Sequence, residues 1–366
     1  MYVLDTDNTS YAFAVLGSGQ LEHLYYGRKL HANEAVMTEK HTFIPGNTNV
    51  YNKDYSSYSL EDVCLEMSSL GKGDIREPFI EVTYPNGSST TDMVFDRAEI
   101  IQGKEEYDTL PGSYDDNGEV EQLVIYLKDR NYNLTLELHY YVYEKCDIIT
   151  RSAKLVNSGN ESVRLERLMS MQLDLNESDY ELSFFNGAWA REMNRSRIPI
   201  RAGKYVNESV TGTSSNRANP FFMIGRSSTT EDYGECYEFN LIYSGNHYEA
   251  AQVNSYGKLR LVSGINPATF SYIIEAGKCF EAPEAVLTYS YKGYNRMSHN
   301  MHEFVRKHIV RGSWRDKERP VLINSWEAAY FNINERKLVK LAKAAKDTGV
   351  EPVSYTHLTL PTILRV

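Results

Sequence analysis

Three groups of residues combine types and spacing that could do chemistry. Trp326-Glu327 follows the apolar run Pro320-Val-Leu-Ile-Asn324-Ser. A ring beside a carboxylate at the C-terminal end of a strand offers a stacking surface and a candidate acid or hydrogen-bonding group. Trp189 sits in Gly187-Ala-Trp-Ala-Arg191 after a predicted strand, and Arg217 and Asn219 follow the polar loop Thr211-Gly-Thr-Ser-Ser-Asn216, whose side chains can donate many hydrogen bonds. Asp74-Ile-Arg76-Glu77 places three charges before Pro78, as a binding cluster or, on the reading preferred here, as an internal ion-pair network. Each aromatic or polar candidate has a plain alternative: a tryptophan that only packs, or a loop that only meets solvent.

Other chemistries find no foothold. His299 and His302 form an H-x-x-H on a predicted helix, but beyond Glu303 no further metal ligand is evident, and they read as solvent-exposed helix histidines. Cys64, Cys146, Cys236 and Cys279 are far apart, with no CxxC and no disulfide framework. No Gly-rich phosphate loop or G-x-S-x-G elbow occurs. Neither a metal nor a cofactor is expected. The net charge of −10 has the wrong sign for tracking a phosphate backbone, so nucleic acid is not an expected partner. Without a leader-like N-terminus or a long apolar run, no membrane association is expected either, and the chain reads as soluble and cytoplasmic.

These candidates need elements to position them, and the 366 residues fall into two regimes. Up to about residue 292, alternation dominates. In Asn133 to Tyr143, Leu134, Leu136, Leu138, Tyr140 and Val142 point one way and Thr135, Glu137, His139 and Tyr141 the other. Val163 to Leu173 reads as a strand with a bulge, and turns such as Pro85-Asn86-Gly87 and Asn157-Ser-Gly159-Asn160 separate the runs. This predicts a large antiparallel sandwich. After Tyr294 the period becomes helical: Met297, Met301, Phe304, Val305 and His308 predict one helix ending near Arg311-Gly312. A buried parallel strand from Pro320 follows. Asn334 then caps a helix with the stripe Leu338, Leu341, Ala342 and Ala345, closed by Gly349. A lone βα unit leaves its strand unpaired, so it reads as the first unit of a (β/α)8 barrel. The boundaries are 1–292 for the sandwich, 293–319 for the linker helix and 320–351 for the βα unit. Residues 352–366 resemble translated sequencing adapter and are read as a non-native tail outside the fold.

Four segments in order resemble those of the bacterial α-galactosidases of glycoside hydrolase family 36. They are Gly73-Asp-Ile-Arg76-Glu77-Pro78, Asn186-Gly-Ala-Trp189-Ala-Arg191-Glu192, Ser214-Ser-Asn-Arg217-Ala-Asn219-Pro220-Phe221 and Arg319-Pro320-Val-Leu-Ile-Asn324-Ser-Trp326-Glu327-Ala. Tyr243-Ser-Gly-Asn246 and Ser263-Gly-Ile-Asn266-Pro267 lie between them, and the likeness runs from Leu21-Glu-His23-Leu-Tyr-Tyr-Gly27 to about Val350.

The resemblance implies a mainly β fold: an antiparallel β-supersandwich, a linker helix and the start of a catalytic (β/α)8 barrel. It implies retaining hydrolysis of terminal α-galactose from melibiose- or raffinose-type galacto-oligosaccharides through a covalent glycosyl-enzyme. It also implies a homotetramer of the whole protein. The family's nucleophile lies in a Lys-Trp-Asp motif and its sugar-gripping motif is Asp-Asp-Gly-Trp. Neither occurs in this sequence, so no catalytic residue is assigned and the chain as written is expected to be inactive. By the same resemblance Trp326 packs on the galactose, Trp189 lines the pocket, Arg217 and Asn219 bind substrate, and Glu327 supports binding rather than acting as the acid. The competing reading is a non-catalytic carbohydrate-binding or oligomerisation module derived from such a hydrolase.

Overall fold

The computed structural model describes residues 1–31, 50–56 and 59–351, with the backbone of 353–354. It divides into two compact units, 1–309 and 310–366.

The first unit is built of antiparallel sheets. A 10-stranded sheet, a 6-stranded sheet and a 3-stranded sheet of the opening strands share one hydrophobic core. The strand Leu134–Tyr143 shows why the sequence pattern works: Leu134, Leu136, Leu138, Tyr140 and Val142 are all buried in that core. Its other face is only half-buried until Tyr141 and Tyr143, which pack with Met301 and Phe304 of the helix Gly293–Phe304. Alternation alone assigned Tyr141 to the exposed side, but a helix covers that end of the sheet.

Val163–Leu175 is one strand serving two edges, with register shifts against Ile80–Thr83 and against Leu259–Ile265. At the second shift Gly264 is required. A Cβ there would stand 2.9 Å from Met169 Cα, closer than real side chains tolerate.

Between the sheets lies a buried charge network. An extended segment carrying Leu65 and Glu66 pairs with the strand Leu21–Arg28 through Glu66 N–H to Leu21 O at 3.0 Å. The Glu66 carboxylate accepts from Tyr11 and Tyr140 hydroxyls at 2.8 Å, lies 2.7 Å from His23 Nδ1, and pairs with Arg151 at 3.1 Å. Burial alone would raise this carboxyl, but Arg151, His23 and Tyr11 together hold it below the usual range. Gln172 connects this cluster to a second one, donating to Leu65 O at 3.0 Å and to Asp174 Oδ1 at 3.3 Å. There Arg260 donates to both Asp174 oxygens at 2.8 and 2.6 Å and lies 2.8 Å from Asp74 Oδ2. Arg76 holds Asp74 through its Nε at 3.0 Å and its Nη2 at 2.8 Å.

The helix Gly293–Phe304 buries Tyr294, Met297, Met301 and Phe304, then widens into a π turn, Val305–Ile309. The wider turn advances the buried face by one residue, which leaves Val305 38% exposed and brings His308 Nδ1 to 3.0 Å from Tyr114 O. The helical run therefore stops at Ile309, short of the expected Arg311-Gly312, and belongs to the first unit.

In the second unit Ile323–Asn324 pairs in parallel with Val353–Ser354, so the strand that the sequence left unpaired has a partner among the residues read as tail. The rest of 352–366 lies outside the described residues. Asn334 accepts from Lys337 N–H at 3.0 Å and caps the helix Glu335–Asp347. Within that helix Ala345 is fully buried and Leu338, Leu341 and Ala342 are half-buried.

Two measurements probe this packing. Asp174→Asn leaves two buried guanidinium groups undercompensated, and urea unfolding is expected to show a loss of about 3–5 kcal/mol. A loss below about 1 kcal/mol would mean that Arg76 and Arg260 do not depend on this carboxylate for their burial. Glu238 is buried in the strand Cys236–Ile242, and burial pushes its carboxyl up from 4.5 to about 7, with the Asn240 amide offsetting part of the effect. The folded chain therefore holds this proton more tightly than the unfolded chain, and stability falls as pH rises from 4.5 through about 7. Glu238→Gln is expected to stabilise the protein by about 2–3 kcal/mol near pH 8, with the gain disappearing near pH 4. A gain independent of pH would refute the assignment.

Candidate functional site

Trp189 stands at the tip of the hairpin formed by Glu181–Ala188 and Arg191–Pro199, and its indole is 91% exposed. Ala190 at φ 56° forms the turn and Met193 at φ 55° the bulge just behind it, while Glu192 Oε1 accepts from Ala190 N–H at 2.9 Å. Gly187 lets the neighbouring backbone approach, since a Cβ there would meet Arg191 O at 2.5 Å and Asn216 O at 3.2 Å. The hairpin and the polar loop are thereby brought together. Asn219 Nδ2 donates to Phe185 O at 2.9 Å, and Arg217, next to it, is exposed and shows no carboxylate partner among the described residues.

This corner rests on side chains that sequence reasoning missed. Asn207 Nδ2 donates to Asn219 O at 2.7 Å and to Glu249 Oε2 at 2.5 Å. His247 lies 3.3 Å from Glu249 and 3.0 Å from Ala218 O. Burial would lower the His247 pKa, but Glu249 and the Ala218 carbonyl raise it above its usual value. The detectable signal was His247 and Glu249, two residues apart on one face of a strand. The Asn residues of the two intermediate motifs also serve the loop. Asn246 Oδ1 accepts from Gly212 N–H at 2.7 Å, and Asn266 Nδ2 reaches Glu208 Oε2 at 2.8 Å and Ser209 O at 3.1 Å.

In the second unit Trp326 opens the short helix Trp326–Ala329, its N–H bound by Asn324 Oδ1 at 2.8 Å. Tyr330 and Phe331 meet its ring edge-on, with centroids 5.6 and 5.2 Å away. The Glu327 carboxylate is exposed and accepts the Tyr330 hydroxyl at 2.7 Å. The structure thus gathers Trp189, Arg217 and Asn219 in the first unit and Trp326 and Glu327 in the second. Asp74 and Arg76 belong to neither group, being buried in the charge network between the sheets.

Chemically, both groups suit a neutral, hydroxyl-rich ligand: aromatic faces for C–H surfaces, amide and guanidinium donors for oxygens. His299 and His302 are 6.4 Å apart between ring centroids, and among the described residues no group of three His, Cys, Asp or Glu side chains is arranged to hold a metal.

Residues 19–275 match the model of the glycosyl hydrolase family 36 N-terminal domain, and residues 279–355 match that of melibiase. The chain is 37% identical to alpha-galactosidase AgaA of Geobacillus stearothermophilus, over 96% of the chain and 48% of the relative. It is 35% identical to the bifunctional alpha-galactosidase/sucrose kinase AgaSK of Mediterraneibacter gnavus, over 96% of the chain and 38% of the relative. The alpha-galactosidase of Lactobacillus brevis superposes with a TM-score of 0.92 at 37% identity, covering 96% of this chain and 48% of that one. A Geobacillus stearothermophilus AgaA variant solved in complex with raffinose gives 0.93 at 35% identity, covering 96% and 49%. The chain spans about half the length of the curated relatives it matches.

The hairpin geometry separates the projecting ring from the stability of the fold. Trp189→Ala is expected to change unfolding free energy by less than about 0.5 kcal/mol, whereas Gly187→Val costs about 1–3 kcal/mol through backbone collision. Denaturant titration of the two variants decides it, and a large loss for Trp189→Ala would show that the indole packs rather than projects.

Proposed function

This chain belongs to glycosyl hydrolase family 36, and on that premise we propose that it is the N-terminal part of an α-galactosidase acting on terminal α-galactosyl groups of raffinose-type saccharides. The observation that carries the reading is the match to both family models in succession, over residues 19–275 and 279–355. The likeness to a relative solved with raffinose supports the substrate class.

In this proposal the residues of the chain bind and orient. Trp326 covers the apolar face of the sugar ring, and its edge-on contacts with Tyr330 and Phe331 fix the indole plane. Within the first unit Trp189 offers an aromatic surface and Arg217 and Asn219 offer donors to sugar hydroxyls; within the second, Glu327 accepts a hydrogen bond while Tyr330 holds its carboxylate. Bond cleavage follows the retaining course. One carboxylate attacks the anomeric carbon and a second, about 5–5.5 Å away, protonates the leaving oxygen and then activates water. The family's Lys-Trp-Asp nucleophile motif is not among these 366 residues, so the carboxylate pair is assigned to the rest of the barrel. The whole protein is proposed to be a cytoplasmic homotetramer, a reading that its free cysteines fit.

The test joins these residues to the remaining barrel of the Geobacillus relative and follows raffinose hydrolysis by NMR. The fusion is expected to release α-galactose first, and the 366-residue chain alone to release none. Trp326→Ala in the fusion is expected to raise KM about tenfold. Initial β-galactose would sink the retaining mechanism, turnover by the isolated chain would sink the placement of the carboxylates, and a fusion inert toward α-galactosides would sink the substrate class.

A further inference from the structure

The first unit holds another concave site that the α-galactosidase reading does not use. Three turns form it: Tyr84 to Gly87, the Asn131–Asn133 link between Glu121–Asp129 and Leu134–Tyr143, and Asn157 to Glu161 before Val163–Leu175. They border a cavity of about 230 Å3. Five asparagines line it, Asn86, Asn131, Asn133, Asn157 and Asn160, together with the stacked pair Tyr84 and Tyr132, whose ring centroids are 3.4 Å apart. Glu161 is the only charged residue in the lining.

We propose that this pocket is a second, non-catalytic binding site for one ring of a neutral saccharide. A carboxamide both donates and accepts hydrogen bonds, as a sugar hydroxyl does, so clustered amides match a polyol without imposing charge. Half-buried Tyr132, backed by the buried Tyr84 ring stacked on it, supplies an aromatic surface for the C–H face of the sugar. The lining contains no lysine or arginine, which disfavours phosphorylated or carboxylated ligands. The volume lies below the roughly 300–1,000 Å3 of pockets for larger ligands, so one ring enters and the rest of an oligosaccharide stays in solvent.

The site is built before any ligand arrives. Asp129 Oδ1 accepts from Asn131 and Tyr132 N–H groups at 2.8 and 3.0 Å, fixing the turn that carries both. Asn86 Nδ2 donates to the Tyr132 hydroxyl at 3.1 Å, holding the aromatic ring in place. Asn157 is spent on structure: its Nδ2 donates to Glu161 O at 2.9 Å and Ile274 O at 3.0 Å, and its Oδ1 accepts from Gly159 N–H at 3.0 Å. Ser158 N–H donates to Asn133 O at 2.9 Å and ties two of the turns together. The side-chain amides of Asn131, Asn133 and Asn160 form no hydrogen bond within the described residues. These are the groups left to meet a ligand on a pre-organised frame.

Saturation-transfer difference NMR on the 366-residue chain, with raffinose, maltotriose and glucose 6-phosphate as separate probes, tests the site. At least one neutral saccharide is expected to bind and glucose 6-phosphate to give no signal that depends on the pocket. Tyr132→Ala is expected to weaken binding about tenfold, and the double variant Asn131→Ala/Asn160→Ala about fivefold. Both asparagines are exposed, so the double variant keeps the fold, which circular dichroism checks. A combined Trp189→Ala/Trp326→Ala chain is expected to retain the pocket component. The proposal is overturned if neither saccharide binds, if both pocket variants bind like the parent, or if binding disappears only with the two tryptophans. That last result would leave the α-galactosidase reading standing.

Discussion

Two arginines shut away from water, Arg151 and Arg260, set the terms on which the sandwich can close. A guanidinium cannot shed its proton to escape burial, so each must meet a carboxylate and further acceptors with good geometry. Arg151 finds Glu66, two tyrosine hydroxyls and the Glu66 and Gln172 carbonyls; Arg260 finds Asp174, Asp74 and the Glu77 carbonyl. Their partners come from the opening strands, the loop around residue 74 and both large sheets. The network therefore cannot form piecemeal. It is weak evidence for net stability and stronger evidence for uniqueness, because any other arrangement strands a buried charge.

The hairpin that carries Trp189 follows the same logic on a smaller scale. Its tip is exposed, but its base is fixed by backbone contact at Gly187 and by amides that reach carbonyls across the loop. Beneath it Asn207, Glu249 and His247 form a buried polar support. In the binding role proposed for it, the hairpin offers a large exposed ring on a base that does not have to reorganise when a ligand binds. The asparagine pocket shares the device, with Asp129 and Asn157 spending their hydrogen bonds on the frame and leaving the rim amides open.

Helix Gly293–Phe304 shows how packing overrides a regular pattern. Met297, Met301 and Phe304 keep helical spacing and are buried, yet the π turn that follows exposes Val305 and turns His308 onto Tyr143, 4.6 Å between ring centroids. Asn300 is buried in the same face and donates to Thr288 Oγ1 at 3.1 Å, a polar contact inside an otherwise apolar seam.

What the sequence alone determined was whatever repeats within a few residues: the strands with a buried face, the change to helical period after Tyr294, the Asn334 cap and the closing Gly349. Period-2 and period-3.6 burial are local properties, and a stretch of ten residues carries them complete. The family-like segments around Trp189, Arg217 and Trp326 were legible for the same reason, as contiguous words. The tertiary structure alone decided that Asp74 meets Arg260, that Glu66 serves Arg151, that His247 and Glu249 support Asn219, and that asparagines from three separate turns share a pocket. Those pairings depend on strand order and register, which follow from summed burial over the whole core, and no local window contains that sum.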